Sequence, residues 1–408
     1  MSKTPWKTDK WFTSPWNFAD EVQATHHFAP KIKLHDVSLR DGEQQAGLLF
    51  TKDQKVAIAE RLAEMGIQRI EAGMPVVSPQ DEAAIKEIVK RNLGPEIFAF
   101  ARCVKADVKR AADCGVSGVV VEIPSSQHMV ENAYKWSMEK AVDLAVEATA
   151  YAHECGLYTV FFPIDASRAD IDWFLDLIQR VADDGHMDAL ALVDTLGGLG
   201  PSAIPYLVKR VKQKIDKPLE AHFHDDFGFG SANTVLAIAA GAEVAHTSIS
   251  GIGERSGNAA YEDVALALLT MYGVDLGLKW EMMYDTSLMV QQFSGLNVRQ
   301  NRGIIGRDIH KIESGIIVDW YNNAHKAAPL ELSPYLYELT GHPDWEIVIG
   351  KNSGNTTVSM YLDKLNIECD DNALKTEMVK RIKQRAYEND GLLTVAQFEE
   401  IARDVLNA

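Results

Sequence analysis

The strongest constraint in this 408-residue chain is a recurrence: an apolar run, a polar or charged residue, a helical stripe, then the next apolar run. The runs fall at 32–39, 67–73, 97–103, 118–124, 157–165, 189–195, 219–225 and 244–251. They are continuously apolar rather than alternating, as expected of parallel strands covered by helices on their outer face. Thr51-Lys52-Asp53-Gln54 has the pattern of a capping box and Gly66 stops the helix that follows. Ser78-Pro79 opens the next helix as N-cap and first residue. Later helical stripes centre on Val108, Ala145, Phe174, Val208, Leu236 and Leu266. Eight strand–helix units in roughly 240 residues predict an α/β fold, a (β/α)8 TIM barrel, over residues 31–273. An N-terminal arm at 1–30, with Trp6, Trp11 and Trp16, precedes it, and a small, mainly helical C-terminal region at 274–408 follows. The arm reads as a strap across its own domain, with a partner-docking segment as the other reading. A doubly wound open sheet would usually place a glycine-rich phosphate loop after its first strand, and Arg40-Asp41-Gly42-Glu43-Gln44 is not one.

A barrel gathers its chemistry where strands end and the following loops begin. Those ends carry Arg40 and Asp41, Glu71, Arg102, Ser125 and Ser126, Asp165, Asp194 and Thr195, His222 and His224, and Asn258. Arg40 offers a planar fork, Asp41 a hard carboxylate, and Gly42 a sharp bend directly after both. His222 and His224 lie two apart on one strand, so both imidazoles point the same way and can share one ion. Two histidines and a carboxylate leave coordination positions open, which suits Mg²⁺, Mn²⁺, Fe²⁺ or Zn²⁺ and a chelating substrate. Arg102 is placed either to bind a distal carboxylate or to pair with Glu71 and brace the site. Ser125, Ser126 and His128 mark a specificity loop.

The net charge of −17 argues against nucleic acid or an anionic membrane as partner. Cys103, Cys114, Cys155 and Cys369 are too widely spaced for a metal knuckle or a dense disulfide framework. The amino terminus has no signal-peptide pattern, and no apolar run approaches the ~18 residues of a membrane span. These features together predict a soluble, cytoplasmic protein.

Three motifs in order, LRDGEQ at 39–44, HFHDDFGFGSAN at 222–233 and GIGERSGNA at 251–259, carry a resemblance. They are similar to the metal-dependent barrel superfamily of 2-isopropylmalate, homocitrate and citramalate synthases, which also contains 3-hydroxy-3-methylglutaryl-CoA lyase. The resemblance implies Asp41, His222 and His224 as metal ligands, with Asn258 as a weaker ligand or a contact behind them. It implies Arg40 as the group stabilising the oxyanion formed when a 2-oxo group is attacked. Thr195, in VDTLGG, resembles the threonine that contacts the substrate carboxylate. IGRDIHKIESGI at 305–316 and IGKNSGNTTVSMYLDKL at 349–365 resemble the C-terminal subdomains of the synthases, which the lyase branch lacks. In the synthases those subdomains reach over a partner's barrel, which implies a homodimer. The GIGERSGNA loop also lacks the cysteine that the lyases use for acid–base work. The chain stops short of the regulatory domain found in leucine-inhibited isopropylmalate synthases.

Two departures bear on the reaction. The synthases place a Glu before the Asp-Ala ending the fifth strand, where this chain has Ile164, and a His at the position of Ile317. Both positions are tied in the family to deprotonating the acyl-CoA methyl group. Asp165 and His310 are the nearest substitutes, and Glu71, Arg102, Ser125 and Thr195 the expected substrate contacts. The expected activity is condensation of an acyl-CoA with a 2-oxo acid. The alternatives are a C–C lyase or aldolase acting on a chelated 2-oxo acid, and a non-catalytic binding protein of the same fold.

Overall fold

A computed structural model of the chain describes residues 4–407. It divides into two compact units, Ser14–Val298 and a second formed by Arg299–Ala408 with the start of the chain through Thr13.

The first unit is a closed barrel of eight parallel strands in sequential order. The strands are β1 (Lys33–Asp36), β2 (Arg69–Glu71), β3 (Glu96–Arg102), β4 (Gly118–Pro124), β5 (Tyr158–Ile164), β6 (Ala189–Asp194), β7 (Leu219–Phe223) and β8 (Val244–Thr247). The helices Lys52–Met65 and Pro79–Arg91 open as the sequence predicts. Thr51 and Gln54 form a reciprocal capping box, and the Ser78 side chain accepts from Asp81 N. β1 pairs with β8 as well as with β2, which closes the cylinder. Its interior packs Phe98, Phe100, Val120, Val160, Phe162, Ala189, Ala191 and Val193 into one cluster.

Several strands end earlier than their apolar runs, and the difference matters for the site. β1 stops at Asp36, and Val37 O then accepts from both Arg40 N and Gly42 N, so Arg40 and Asp41 sit in a turn above the strand. β5 stops at Ile164, and Asp165 turns the chain with φ 60°. β8 stops at Thr247, followed by a short 3-10 turn at Ile249–Gly251.

The barrel unit runs past residue 273. Helix Met283–Ser294 docks on it, with Thr286 Oγ1 3.1 Å from Met65 Sδ and Ser287 Oγ 2.7 Å from Ser250 Oγ. The arm divides. From Ser14 onward it straps the barrel, where His27 N donates to Ala239 O at 2.6 Å and His26 packs on Tyr272. Its earlier residues join the second unit: Phe12 N donates to Pro334 O at 2.8 Å, and Trp11 bridges Tyr335. That unit holds a two-stranded parallel pair, β9 (Lys311–Ile312) with β10 (Glu346–Ile347). Its helices Asn355–Lys364, Asn372–Glu388 and Val395–Leu406 enclose a core that includes Val358, Met378, Ile382 and Phe398.

Candidate metal centre and active site

The turn after β1 presents two groups for opposite reasons. Gly42 lies against Ile252, whose Cγ1 would be 2.7 Å from any added Cβ, so the chain can bend there only without a side chain. That bend leaves Arg40 and Asp41 buried side by side, with Arg40 Nη1 donating to Asp41 Oδ2 at 2.9 Å. Arg40 Nε donates to Glu71, and its guanidinium carbon lies 4.0 Å above the Phe100 ring. Nη2 is buried with no partner among the described residues. The fork is thus held on two edges and stacked on a ring, with one donor to spare.

β7 supplies the histidines. His222 Nε2 and His224 Nε2 are 3.3 Å apart and lie 3.2 and 3.7 Å from Asp41 Oδ2. Asn258 bridges His224 backbone to backbone and holds Ile252 O through Nδ2 at 3.0 Å. Its Oδ1, like Asp41 Oδ1, is buried without a partner among the described residues. Gly257, at φ 91°, lets this loop close, because a Cβ there would collide with the Gly251 carbonyl.

Protonation follows from burial. Burial pushes the His222 imidazole down to about 3, against the pull of Asp41, so it is neutral at ordinary pH. Burial lowers His224 as well. For Asp41 burial works the other way, yet the Arg40 guanidinium beside it holds its carboxyl well below the usual range. An anionic carboxylate, two neutral imidazoles and two orphaned buried carbonyl-type oxygens are the donor set of a divalent cation, and the residues fit one.

A relay behind the histidines sets their ring protons. His222 Nδ1 is 3.2 Å from His246 Nδ1, and His246 Nε2 is 2.7 Å from Glu220 Oε2. Glu220 can only accept there, so His246 carries its proton on Nε2 and accepts from His222 Nδ1–H, leaving His222 Nε2 free to ligate. Arg69 Nη1 closes the line on Glu220 at 2.7 Å. On the other side, Arg255 Nη2 lies 3.1 Å from His224 Nδ1. A guanidinium only donates, so a cation on His224 Nε2 requires Arg255 to yield that nitrogen.

The remaining expected site residues separate. Thr195 lines the same cavity of ≈ 200 Å³ as Arg40, Asp41, His222 and His224, and its Oγ1 accepts from Asp165 N at 2.7 Å. Glu71 is fully buried beneath Arg40 and beside His35 Nε2, where it orients the arginine. Arg102 pairs with Asp107 at 2.6 Å rather than with Glu71. Ser125 Oγ donates to Ile164 O at 2.8 Å, a loop brace. Asp165 is held by Arg168 at 2.6 Å, Ser126 at 2.5 Å and His128 at 3.0 Å. His310 belongs to the second unit, where it shares a pocket of ≈ 450 Å³ with Ile317. Both its ring nitrogens lack a partner among the described residues, and burial pushes its pKa down to about 4.

Sequence reading missed Glu122, which lines the barrel cavity, and the His35, Glu220 and His246 belt below it. The signal was present: each is a titratable side chain inside a continuously apolar strand, with the parity of the inward-facing residues.

Fold and site together define a (β/α)8 barrel with two histidines and one carboxylate clustered at its mouth, close enough to hold a divalent cation. The HMGL-like family model matches residues 31–290, and the chain belongs to that family. It is 35% identical to a homocitrate synthase of Methanothermobacter thermautotrophicus over 94% of this chain and 96% of that protein. It is 36% identical to a 2-isopropylmalate synthase of Methanocaldococcus jannaschii over 92% of this chain and 72% of the relative. Among solved structures, hydroxymethylglutaryl-CoA lyase from Pseudomonas aeruginosa superposes with a TM-score of 0.58 at 22% identity, covering 66% of this chain and 95% of that one.

Proposed function

We propose that this protein is a divalent-metal-dependent acyltransferase that condenses an acyl-CoA with a 2-oxo acid. Similarity to synthases along more than nine-tenths of the chain supports the class. The observation that carries the chemistry is the unpartnered Nη2 of Arg40, buried beside Asp41, His222 and His224 at one cavity. A bound cation, held by Asp41, His222 and His224 with Asn258 as a weaker contact, supplies Lewis-acid polarisation of a chelated 2-oxo acid. Mg²⁺, Mn²⁺, Zn²⁺ and Fe²⁺ all accept this donor set. Arg40, pinned by Glu71 and Asp41, then donates Nη2–H to the oxygen on which negative charge develops. Thr195 contacts the substrate carboxylate. The Phe100 and Phe162 rings wall the cavity and limit water. The reading extends to a homodimer working in the cytoplasm, and no helix among the described residues is long and apolar enough to cross a membrane.

Ile164 at the cavity wall favours a second reading, a lyase or aldolase in which the chelated 2-oxo acid itself forms the enolate. Thiol release from acyl-CoAs, assayed against a panel of 2-oxo acids with metal-loaded protein, separates the two. Oxo acid-dependent release supports the acyltransferase. Cleavage of 4-hydroxy-2-oxo acids with no thiol release from any acyl-CoA would refute it.

A further inference from the structure

Condensation requires a carbon acid to lose a proton, and the carboxylates around the barrel mouth differ in what already holds them. Asp41 and Glu71 are tied to Arg40, and Asp165 to Arg168. Asp194 accepts from Ser167 Oγ at 2.6 Å and from Leu199 N at 2.9 Å, and Asp226 is held by Arg255 at 2.8 Å. Glu254 reaches the cavity from an exposed loop. Glu122 is different. It lies on β4 with Arg102 and Phe162 as its register neighbours, and its side chain lines the cavity with Arg40 and Ile164. Arg102 turns away to Asp107, and the hydrogen bond to Glu122 is a single long one from Tyr134 OH, 3.3 Å. It is a largely buried carboxylate facing substrate space.

We infer that Glu122 is a catalytic residue, the acceptor of the proton from the acyl-CoA methyl group, an assignment that rests on the acyltransferase reading above. A Glu122 oxygen takes the methyl proton, and the C–H electron pair becomes the thioester enolate. That carbon bonds to the keto carbon of the 2-oxo acid, whose C=O π pair moves onto oxygen opposite Arg40 Nη2. The proton on Glu122 returns to this alkoxide. One water then cleaves the product thioester, releasing the CoA thiol and a second carboxyl group. No oxidant or reductant is needed.

The surroundings suit a base. Burial raises the Glu122 carboxyl above its usual range, with Asp107 adding to the rise and Arg40, Tyr134 and Arg102 restraining it. A more basic carboxylate is a better proton acceptor, and its loss typically costs about 100-fold or more in turnover.

The test uses metal-loaded full-length protein, acetyl-CoA and a panel of 2-oxo acids. Glu122→Gln is expected to lower kcat about 100-fold or more, leave KM for both substrates little changed, and abolish the acid limb of the pH–rate profile. Tyr134→Phe, a milder change in an exposed side chain, removes the hydroxyl that donates to Glu122 and favours its charged form. It should move the acid limb to higher pH with the fold intact. Retained kcat in Glu122→Gln, a raised KM with the acid limb preserved, or an unmoved limb in Tyr134→Phe would each overturn the assignment. The acyltransferase reading fails separately, and takes this step with it, when the unmodified protein releases no thiol yet exchanges the C3 protons of pyruvate in D2O.

Discussion

Replacing Arg40 with lysine keeps the charge and removes the fork. The arginine uses Nε on Glu71, Nη1 on Asp41 and its face on Phe100, and Nη2 is left unbonded among the described residues. A lysine ammonium is a single point on a flexible stem, and it cannot reach Glu71, Asp41 and an oxyanion together. The fully buried Glu71 and nearby Asp41 will hold it, because leaving either carboxylate unpaired costs several kcal/mol. The charge therefore stays below and the oxyanion donor is lost. Losing one such donor costs roughly 2.7–4 kcal/mol of barrier, or about 100- to 1,000-fold in kcat. Thiol release at saturating 2-oxo acid measures kcat, and calorimetric melting confirms that the variant is folded. KM should change far less than kcat, because the developing charge exists only in the transition state. An unchanged kcat with a raised KM would show that Arg40 holds the substrate and does no more.

Asp41→Asn and His222→Ala should each lower divalent-metal affinity by about 10-fold or more, read by metal analysis after dialysis; full occupancy in both would refute the ligand set. Gly257→Ala forces a side chain into φ 91° and against the Gly251 carbonyl, so it should displace Asn258 and weaken metal binding; unchanged metal affinity would separate Asn258 from the centre. His246→Leu removes the acceptor that fixes the His222 ring proton and should lower metal affinity about 10-fold or more, with His246→Gln less damaging; equal, full affinity in both would refute the relay. Stability should fall as pH drops from 6.5 towards 2. Folding depresses His35 to about 4 and His222 to about 3 from 6.5, and Glu71 and Glu220 to about 2 from 4.5, so the unfolded chain binds more protons across that window. Asp36, raised to about 7, works in the opposite direction. A melting temperature flat between pH 7 and 4 would contradict the net sign.

The barrel was legible because its evidence is periodic. Continuous apolar runs, a capping box at Thr51 and a proline after Ser78 are local signals that the tertiary structure has no reason to override. Strand ends were less legible. Whether the backbone after Asp36 continues in the sheet or turns depends on Val37 O accepting from two amides, a contact that residue types do not declare. Asp41, His222 and His224 could be selected from spacing and motif, and the structure brings them together. The partners of Arg102 and Asp165 could not be selected. Asp107 and Arg168, which hold them, lie only five and three residues on, in the helix and turn that follow each strand end, and which way those turns swing a side chain is not declared by residue types; spacing alone left Arg102 equally free to face Glu71.

The interior of this barrel sets it apart from an apolar one. Arg69, Glu220, His246, His35 and Glu71 form a buried belt behind Asp41, His222 and His224, with His35 and His246 stacked 4.3 Å apart. Replacing such a belt with aliphatic side chains is often neutral or stabilising, so stability alone does not account for it. Geometry offers a better account. One branch runs from Arg69 through Glu220 and His246 to His222 Nδ1, and the other from His35 through Glu71 to Arg40 Nε. Each branch ends on a group that the proposed chemistry needs in one orientation: a ring nitrogen kept free of its proton, and a guanidinium with one edge left unbonded. Polarity inside these strands therefore fixes His222 and Arg40, the proposed metal ligand and the proposed oxyanion donor, from below, while the cavity above them stays open.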